Sequence, residues 1–503
     1  MVKRKGEGRP FVVIVNAGPG TATLRHVDLN LFVPPRLLGL PDDVLISVFT
    51  KLDVQSLLSL HQTCRVLHAF CSSDYIWHHI DLDLPLNIPN NSNEGDLKGA
   101  QLRLLAAQAL RVDQNWSRVH SRVNGIHCIH HGGMVSEMQL LSSEWLVTLS
   151  RASTGTSCVV EVWHIRKPDD VLRVRVITLE AQYSPKFSAW LRNDSREMCI
   201  AICFGSAVRQ ELLRVYVFPL HNTGNDSPST LSRYLVKRII GRDIRGIAYE
   251  LHVNEGLVAL ALAQFNNILE PPRYQIYLLD MNNGREKLLD IQVSAPLSQM
   301  HFRLFSGYLA MTGIQEGNLI FRQYVISTSD VEASEHITTQ SIGTPCQKLV
   351  APLKVTSSPG FDYTLSADAH RKSLRWVTTV SFNQSPPFRH VVKFPLNTSD
   401  TSKIWAHRLT ADTSSAVDIM CVGQSGRRMV WLERRWDTDT FVLMKGHFPS
   451  NTERGGKAIV GPLVPPHTAL PFEFHACQSL AFDEATGRVC VGLHTGDLYL
   501  LDF

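Results

Sequence analysis

The chain has 503 residues, 44% of them hydrophobic and 19% charged, with 50 basic against 46 acidic side chains and a net charge of +4. These are the proportions of a soluble globular protein too long for one small domain. The near balance of charge, with no long basic stripe, excludes a dedicated nucleic-acid binder.

No membrane partner is expected, because the longest apolar run near the start, Phe11 to Val15, is far below the ~20 residues of a spanning helix. The ten cysteines have no regular frame, and Cys199, Cys203, Cys421 and Cys490 fall in apolar, strand-like runs. Reduced, buried thiols and therefore the cytosol or nucleus are the expectation. Residues 1–35 read as a tail, whose Lys3-Arg4-Lys5 run is a solvated terminus or a weak nuclear signal.

Residues 36–82 carry the strongest local pattern. Pro41 fits the first turn of a helix, and Asp42 and Asp43 face its positive end. Val44, Val48 and Leu52 fall four apart, as do Leu45 and Phe49, which together make one wide apolar face. Asp53 can cap a second helix bearing Leu57 and Leu58, and Thr63 a third bearing Cys64, Leu67, Phe70 and Cys71. Three such short helices rarely hide their apolar surface alone, so they are expected either to fold as a cap onto the main domain or to form a docking module whose stripe another protein completes.

The run LxxLPDDVLxxVFxxLDxxSLLxLxxTCRxLxxFxxSDxxW, Leu37 through Trp77, resembles an F-box. Leu67 stands where many members carry an aromatic residue, which exchanges one apolar contact for another. The resemblance implies a three-helix module that binds a Skp adaptor, and through it a cullin-RING ligase. The residues it implies at that interface are Leu40, Pro41, Leu45, Phe49, Leu52, Leu57, Leu58, Cys64, Leu67 and Trp77.

Residues 83–117 form a linker. DLPLNIPNNSNEGD at 83–96 is a loop by its Pro and Asn content, and Leu97 to Trp116 reads as one amphipathic helix. Leu104, Leu105, Gln108 and Val112 run along that helix, with Leu102, Ala106, Ala109 and Leu110 beside them. From about residue 118 helical periodicity gives way to short β-rich runs. A unit recurs in which an apolar strand is followed by one with a central aromatic, as in EWLVTLS (144–150) with VVEVWHI (159–165) and GLVALALA (256–263) with RYQIYLLD (273–280).

Seven units of this kind suggest a β-propeller over 118–503, in preference to an array of two-sheet sandwiches. The last, LAFDEATGRVCVGLHTGDLYLLDF, comes nearest to the WD-repeat pattern, which the chain resembles only in degenerate form. Because the sequence ends on a third strand, the run RVNGIHCIHH (122–131) is expected to supply the outermost strand of the last blade and close the ring. The fold class expected is therefore α+β multidomain: a small helical F-box, a linker helix and an all-β propeller.

No catalytic residue, metal or cofactor is expected. His127, Cys128, His130 and His131 are the densest metal-capable cluster, but no complementary Cys pair follows, and alternation along a strand divides them between two faces. Ser366, Asp368 and His370 lie too close in sequence for a triad, and there is no G-x-S-x-G elbow or P-loop. The function expected is substrate recognition for a Skp/cullin/F-box ubiquitin ligase, the propeller binding a target protein. The alternatives are an F-box scaffold or regulator outside a ligase, and less readily a propeller enzyme or lectin. The insertions 221–233 and 449–473 are candidate target-facing loops, and no target-binding residue is singled out.

Overall fold

The computed structural model describes residues 37–503 except 83, 89–93, 152–156, 167–170, 181–184, 193–196, 206–210, 221–232, 239–245, 255, 266–271, 292–297, 306, 327–338, 343, 355–374, 383–387, 397–400, 402–403, 410–414, 424 and 449–457. Four short helices come first: α1 (Asp42–Phe49), α2 (Val54–His61), α3 (Arg65–Cys71) and α4 (Asp74–His79). The expected three-helix module thus has a fourth helix, because Ser73 and Asp74 start a new turn that carries Ile76 and Trp77 into the core. Asp53 caps α2 as expected, accepting from Ser56 N–H at 2.6 Å. Thr63 does not cap α3: its hydroxyl turns back to the Leu60 carbonyl at 2.7 Å, and Cys64 takes the cap position without a side-chain bond.

The long helix α5 (Gly99–Trp116) follows, and α4 and α2 pack on it. A Cβ on Gly99 would stand 2.7 Å from the Asp74 Cα, so only glycine permits this approach. The Asp74 carboxylate accepts the Gly99 N–H at 2.7 Å. Leu45, Phe49, Val54, Leu57, Leu67, Cys71, Ile76 and Trp77 share one buried cluster with Leu102 and Ala106 of α5. The helical module therefore completes its core with its own linker helix.

The strands are β1 (Gly125–His130), β2 (Met134–Leu141), β3 (Trp145–Arg151), β4 (Ser157–His164), β5 (Leu172–Glu180), β6 (Lys186–Arg192), β7 (Glu197–Gly205), β8 (Glu211–Pro219), β9 (Arg233–Arg238) and β10 (Ile247–Asn254). There follow β11 (Leu257–Gln264), β12 (Arg273–Asp280), β13 (Glu286–Asp290), β14 (Ser298–Phe305), β15 (Tyr308–Gln315), β16 (Asn318–Val325), β17 (Thr339–Ser341), β18 (Gln347–Lys354) and β19 (Arg375–Phe382). The last are β20 (Phe388–Pro395), β21 (Trp405–Leu409), β22 (Ser415–Val422), β23 (Arg428–Arg435), β24 (Thr440–His447), β25 (Ile459–Pro462), β26 (Cys477–Asp483), β27 (Arg488–Leu493) and β28 (Asp497–Asp502).

They form antiparallel meanders whose first strands touch in succession, β2 with β6, β6 with β10, β10 with β14, β22 with β26 and β26 with β2. This radial order is a β-propeller, not a sandwich array. Among the described residues six blades carry four or more strands, where seven blades are expected from the sequence. The remaining sheet, β19–β21, has three strands among the described residues, and residues 355–374 just before it lie outside them. Blade β10–β13 gains β17 as a parallel fifth strand, an excursion that a simple meander does not foretell.

Adjacent blades bury both faces of their middle strands, so β11 (LVALALAQ) and β27 (RVCVGL) read as continuous apolar runs. The outermost strand β5 is instead largely exposed. The ring closes as expected: β1 pairs antiparallel with β28, from Gly125 opposite Asp502 to His130 opposite Asp497. Arg488 reinforces the closure, binding Asp502 through Nε at 2.6 Å and donating to the Ser143 and Ile165 carbonyls of the first blade at 2.8 and 3.0 Å. Just past β1, His131 Nε2 meets buried Glu161 at 2.7 Å and Thr148 Oγ1 at 2.8 Å, holding the strand end to the same blade.

Candidate functional site

The face of the helical module and the way it is tied to the propeller are the features with functional consequence. On α1 the apolar stripe splits. Leu45 and Phe49 are 2% and 0% exposed inside the module, whereas Val44 and Val48, on the neighbouring row, are 39% and 41% exposed. An α-helix one residue out of phase presents two adjacent rows, and the module's core is deep enough for one. Pro41 is exposed on the outer row, Leu40, Leu52 and Leu58 are half-buried, and Leu37, Val66 and Tyr75 are exposed nearby in sequence.

The expected interface residues divide accordingly. Pro41 and Cys64 are open to solvent and Leu40, Leu52 and Leu58 partly so. Leu45, Phe49, Leu57, Leu67 and Trp77 are interior residues of this chain, with the Trp77 indole donating to the Cys71 carbonyl at 2.7 Å. Their role is to shape the face, since α2, α3 and α5 already cover them. Val44 and Val48, which belong to the expected stripe but not to the named interface residues, are the exposed members of this row, at the helical spacing from Pro41.

A second junction fixes α5 to the propeller. Asp113 Oδ1 accepts from Arg427 Nε at 2.8 Å, Arg428 Nη2 at 2.9 Å and His447 Nε2 at 2.9 Å, and Oδ2 accepts from Arg427 Nη2 at 2.9 Å. Burial by itself would raise this carboxyl. The hydrogen bonds from His447 and Arg427 and the charge of Arg428 hold it far below the usual carboxylate range. Arg428 is wholly buried and also donates to the Glu484 carbonyl at 2.6 Å, while its N–H reaches Glu484 Oε1 at 2.8 Å.

Lys445 Nζ donates to the carbonyls of Trp116 and Arg118 at 2.9 and 2.7 Å and to Ser121 Oγ at 2.8 Å, satisfying acceptors that the end of α5 leaves open. Burial lowers its ammonium to about 8. Trp116 itself is buried between Phe482 and Phe503. Gly487, at φ +73°, lets the β26–β27 turn approach so closely that a Cβ there would stand 2.8 Å from Val112 and 3.0 Å from the Trp116 indole nitrogen.

At its other end α5 grips the helical module. Arg103 Nη1 lies 2.6 Å from His61 Nε2 and 3.0 Å from Ser72 Oγ. A guanidinium can only donate, so the His61 ring accepts this bond, and burial and the Arg103 charge both lower the imidazole. One helix of 18 residues, about 27 Å long, thereby joins both cores. The buried row along it is Leu102, Ala106, Ala109 and Trp116, while Leu104, expected on the apolar line, is 62% exposed.

Of the remaining candidates, Ser366, Asp368 and His370 lie outside the described residues, as do 221–232 and 449–457 of the candidate loops. The latter loop's second half is structural: β25 joins β24, and Leu463 is buried and accepts the Ser121 N–H at 2.9 Å. Cys128 and His130 share the outward face of β1, apart from His131, as alternation requires.

The family pattern for F-box-like domains matches residues 37–83. No curated protein matches the sequence. Among solved structures, the β-propeller domain of Myceliophteria thermophila Cps50 (Swd1) is similar at a TM-score of 0.45 and 12% identity, over 75% of this chain and 100% of that one. The chain thus carries an F-box-like domain followed by a β-propeller, the latter identified by the radial strand topology described above.

Proposed function

We propose that this protein is a substrate-recognition subunit of a Skp/cullin/F-box ubiquitin ligase. The observation that carries this reading is the outer row of α1, Pro41, Val44 and Val48, left exposed on an F-box-like domain. That row docks on a Skp adaptor, which brings the cullin-RING assembly, and the propeller holds a target protein. The chain contributes no chemistry of its own. It raises the effective concentration of target lysines beside the charged conjugating enzyme. The rigidity of α5 favours this role, since a fixed spacer confines those lysines to a smaller volume than a flexible linker would. All ten cysteines are free thiols, which fits work in the cytosol or nucleus.

The test is co-purification of the full chain with a Skp adaptor and a cullin. Val44→Asp combined with Val48→Asp places two charges on solvent-exposed positions, so the fold is retained while adaptor capture falls at least tenfold. Capture at the wild-type level by a correctly folded double variant refutes the interface. Adaptor capture without cullin favours the scaffold reading, and a target whose half-life lengthens when the protein is removed favours the ligase.

A further inference from the structure

The outward face of the closing strand pair holds a group of side chains that the adaptor role does not use. Cys128 and His130 are two residues apart on β1 and so project from the same side, and the β1–β28 register sets Asp497 directly opposite His130. The His131 N–H donates to the Gly496 carbonyl at 3.3 Å, so the next pair, His130 with Asp497, is of the closely spaced, non-hydrogen-bonded kind. His130 Nδ1 lies 2.9 Å from Asp497 Oδ1 and 4.0 Å from Cys128 Sγ. All three potential ligand atoms fall within 4.8 Å of one another.

We propose that Cys128, His130 and Asp497 form a three-ligand site for Zn²⁺ that clasps the two strands closing the propeller. One thiolate, one imidazole and one carboxylate make a borderline donor set of the type zinc takes, with a fourth position left to water. In a tetrahedral zinc site neighbouring ligand atoms stand about 3.4–3.6 Å apart. The observed 2.9 and 4.0 Å separations bracket that value and the third lies within 4.8 Å, so the ligand atoms already stand near the spacing that zinc requires. His130 and Cys128 are both exposed, which gives a cation direct access.

Binding releases the thiol proton and draws together residues separated by 367 positions in the chain. The cation meets all three ligands together only when the ring is closed, and so it stabilises the closed state by mass action. The separation also explains why no such site was expected: the third ligand is supplied from the other end of the propeller.

Cobalt(II) is the probe, titrated into the full-length chain under a phosphine reductant. A thiolate-to-cobalt charge-transfer band should develop in the near-ultraviolet and be displaced by Zn²⁺. Cys128→Ser should abolish the band, and Cys128→Ser and Asp497→Asn should each weaken Zn²⁺ binding at least ~10-fold. Zn²⁺ should raise the melting temperature of the wild type and not of Cys128→Ser. A band that persists in Cys128→Ser, an unchanged Zn²⁺ affinity in either variant, or an equal thermal shift in both proteins overturns the proposal.

Discussion

Asp113 shows how much one side chain on a linker can decide. Its carboxylate meets three cationic or imidazole partners whose side chains are no more than 12% exposed. Removing it leaves Arg428 buried without its principal counter-charge, a loss of about 3–5 kcal/mol for broken buried pairs. Asp113→Asn is therefore expected to lower unfolding stability in urea by about 3 kcal/mol at pH 7. The folded-state carboxyl is held well below its unfolded value of about 4, so its contribution is complete above that pH and is lost as pH falls toward the folded-state value. The difference between wild type and Asp113→Asn should accordingly shrink in strongly acidic solution, and a pH-independent difference would contradict the ion-pair account. Nothing in the local sequence marks this residue, because its partners lie 314 to 334 positions further on.

At the scale of elements, the helices are legible and their facing is not. Apolar spacing of three and four locates α5 to within two residues, since those intervals are set by the helix itself, whereas on α1 the expected face runs on to Leu52, past the helix end at Phe49. It also offers two plausible rows on each, and local sequence contains no term that chooses between them. On α1 the choice falls to Leu45 and Phe49 because α2, α3 and α5 enclose that side. On α5 it falls to Leu102 and Ala106, against the line through Leu104.

Leu102→Ala should therefore cost about 2–4 kcal/mol through lost contact and a residual cavity. Leu104→Ala should change stability by less than about 0.5 kcal/mol. Comparable losses for the two in chemical denaturation would mean that α5 faces the other way. The blade strands were easier to recognise, because burial on both faces produces the uninterrupted apolar runs of β11 and β27.

For the whole molecule, the decisive event is closure. A propeller ring is held shut where its two ends meet in one blade, and here β1 and β28 pair along the full length of both strands. His127 lies opposite Leu500 and three residues from the His130–Asp497 pair, at a position where the strand contributes its N–H to the ladder. His127→Pro removes that donor and should open the edge of β28. The expected result is cleavage near the C-terminal strand in limited proteolysis, with a lower melting temperature and an intact helical module. Unchanged protease resistance would show that the neighbouring blade cores alone keep the ring shut.

Local pattern specifies the kinds of elements, the pairing of neighbouring strands, the F-box-like module and the strand that closes the ring. These rest on contacts between residues near in the chain, or on the simple requirement that a last strand find a partner. Packing in three dimensions sets which apolar row of α1 faces outward, how α5 is locked to the propeller through Asp113 and Lys445, and what stands opposite His130. The first depends on packing among α1, α2, α3 and α5, and the other two on side chains brought together from hundreds of residues apart, where burial and charge compensation act between surfaces that no local pattern describes.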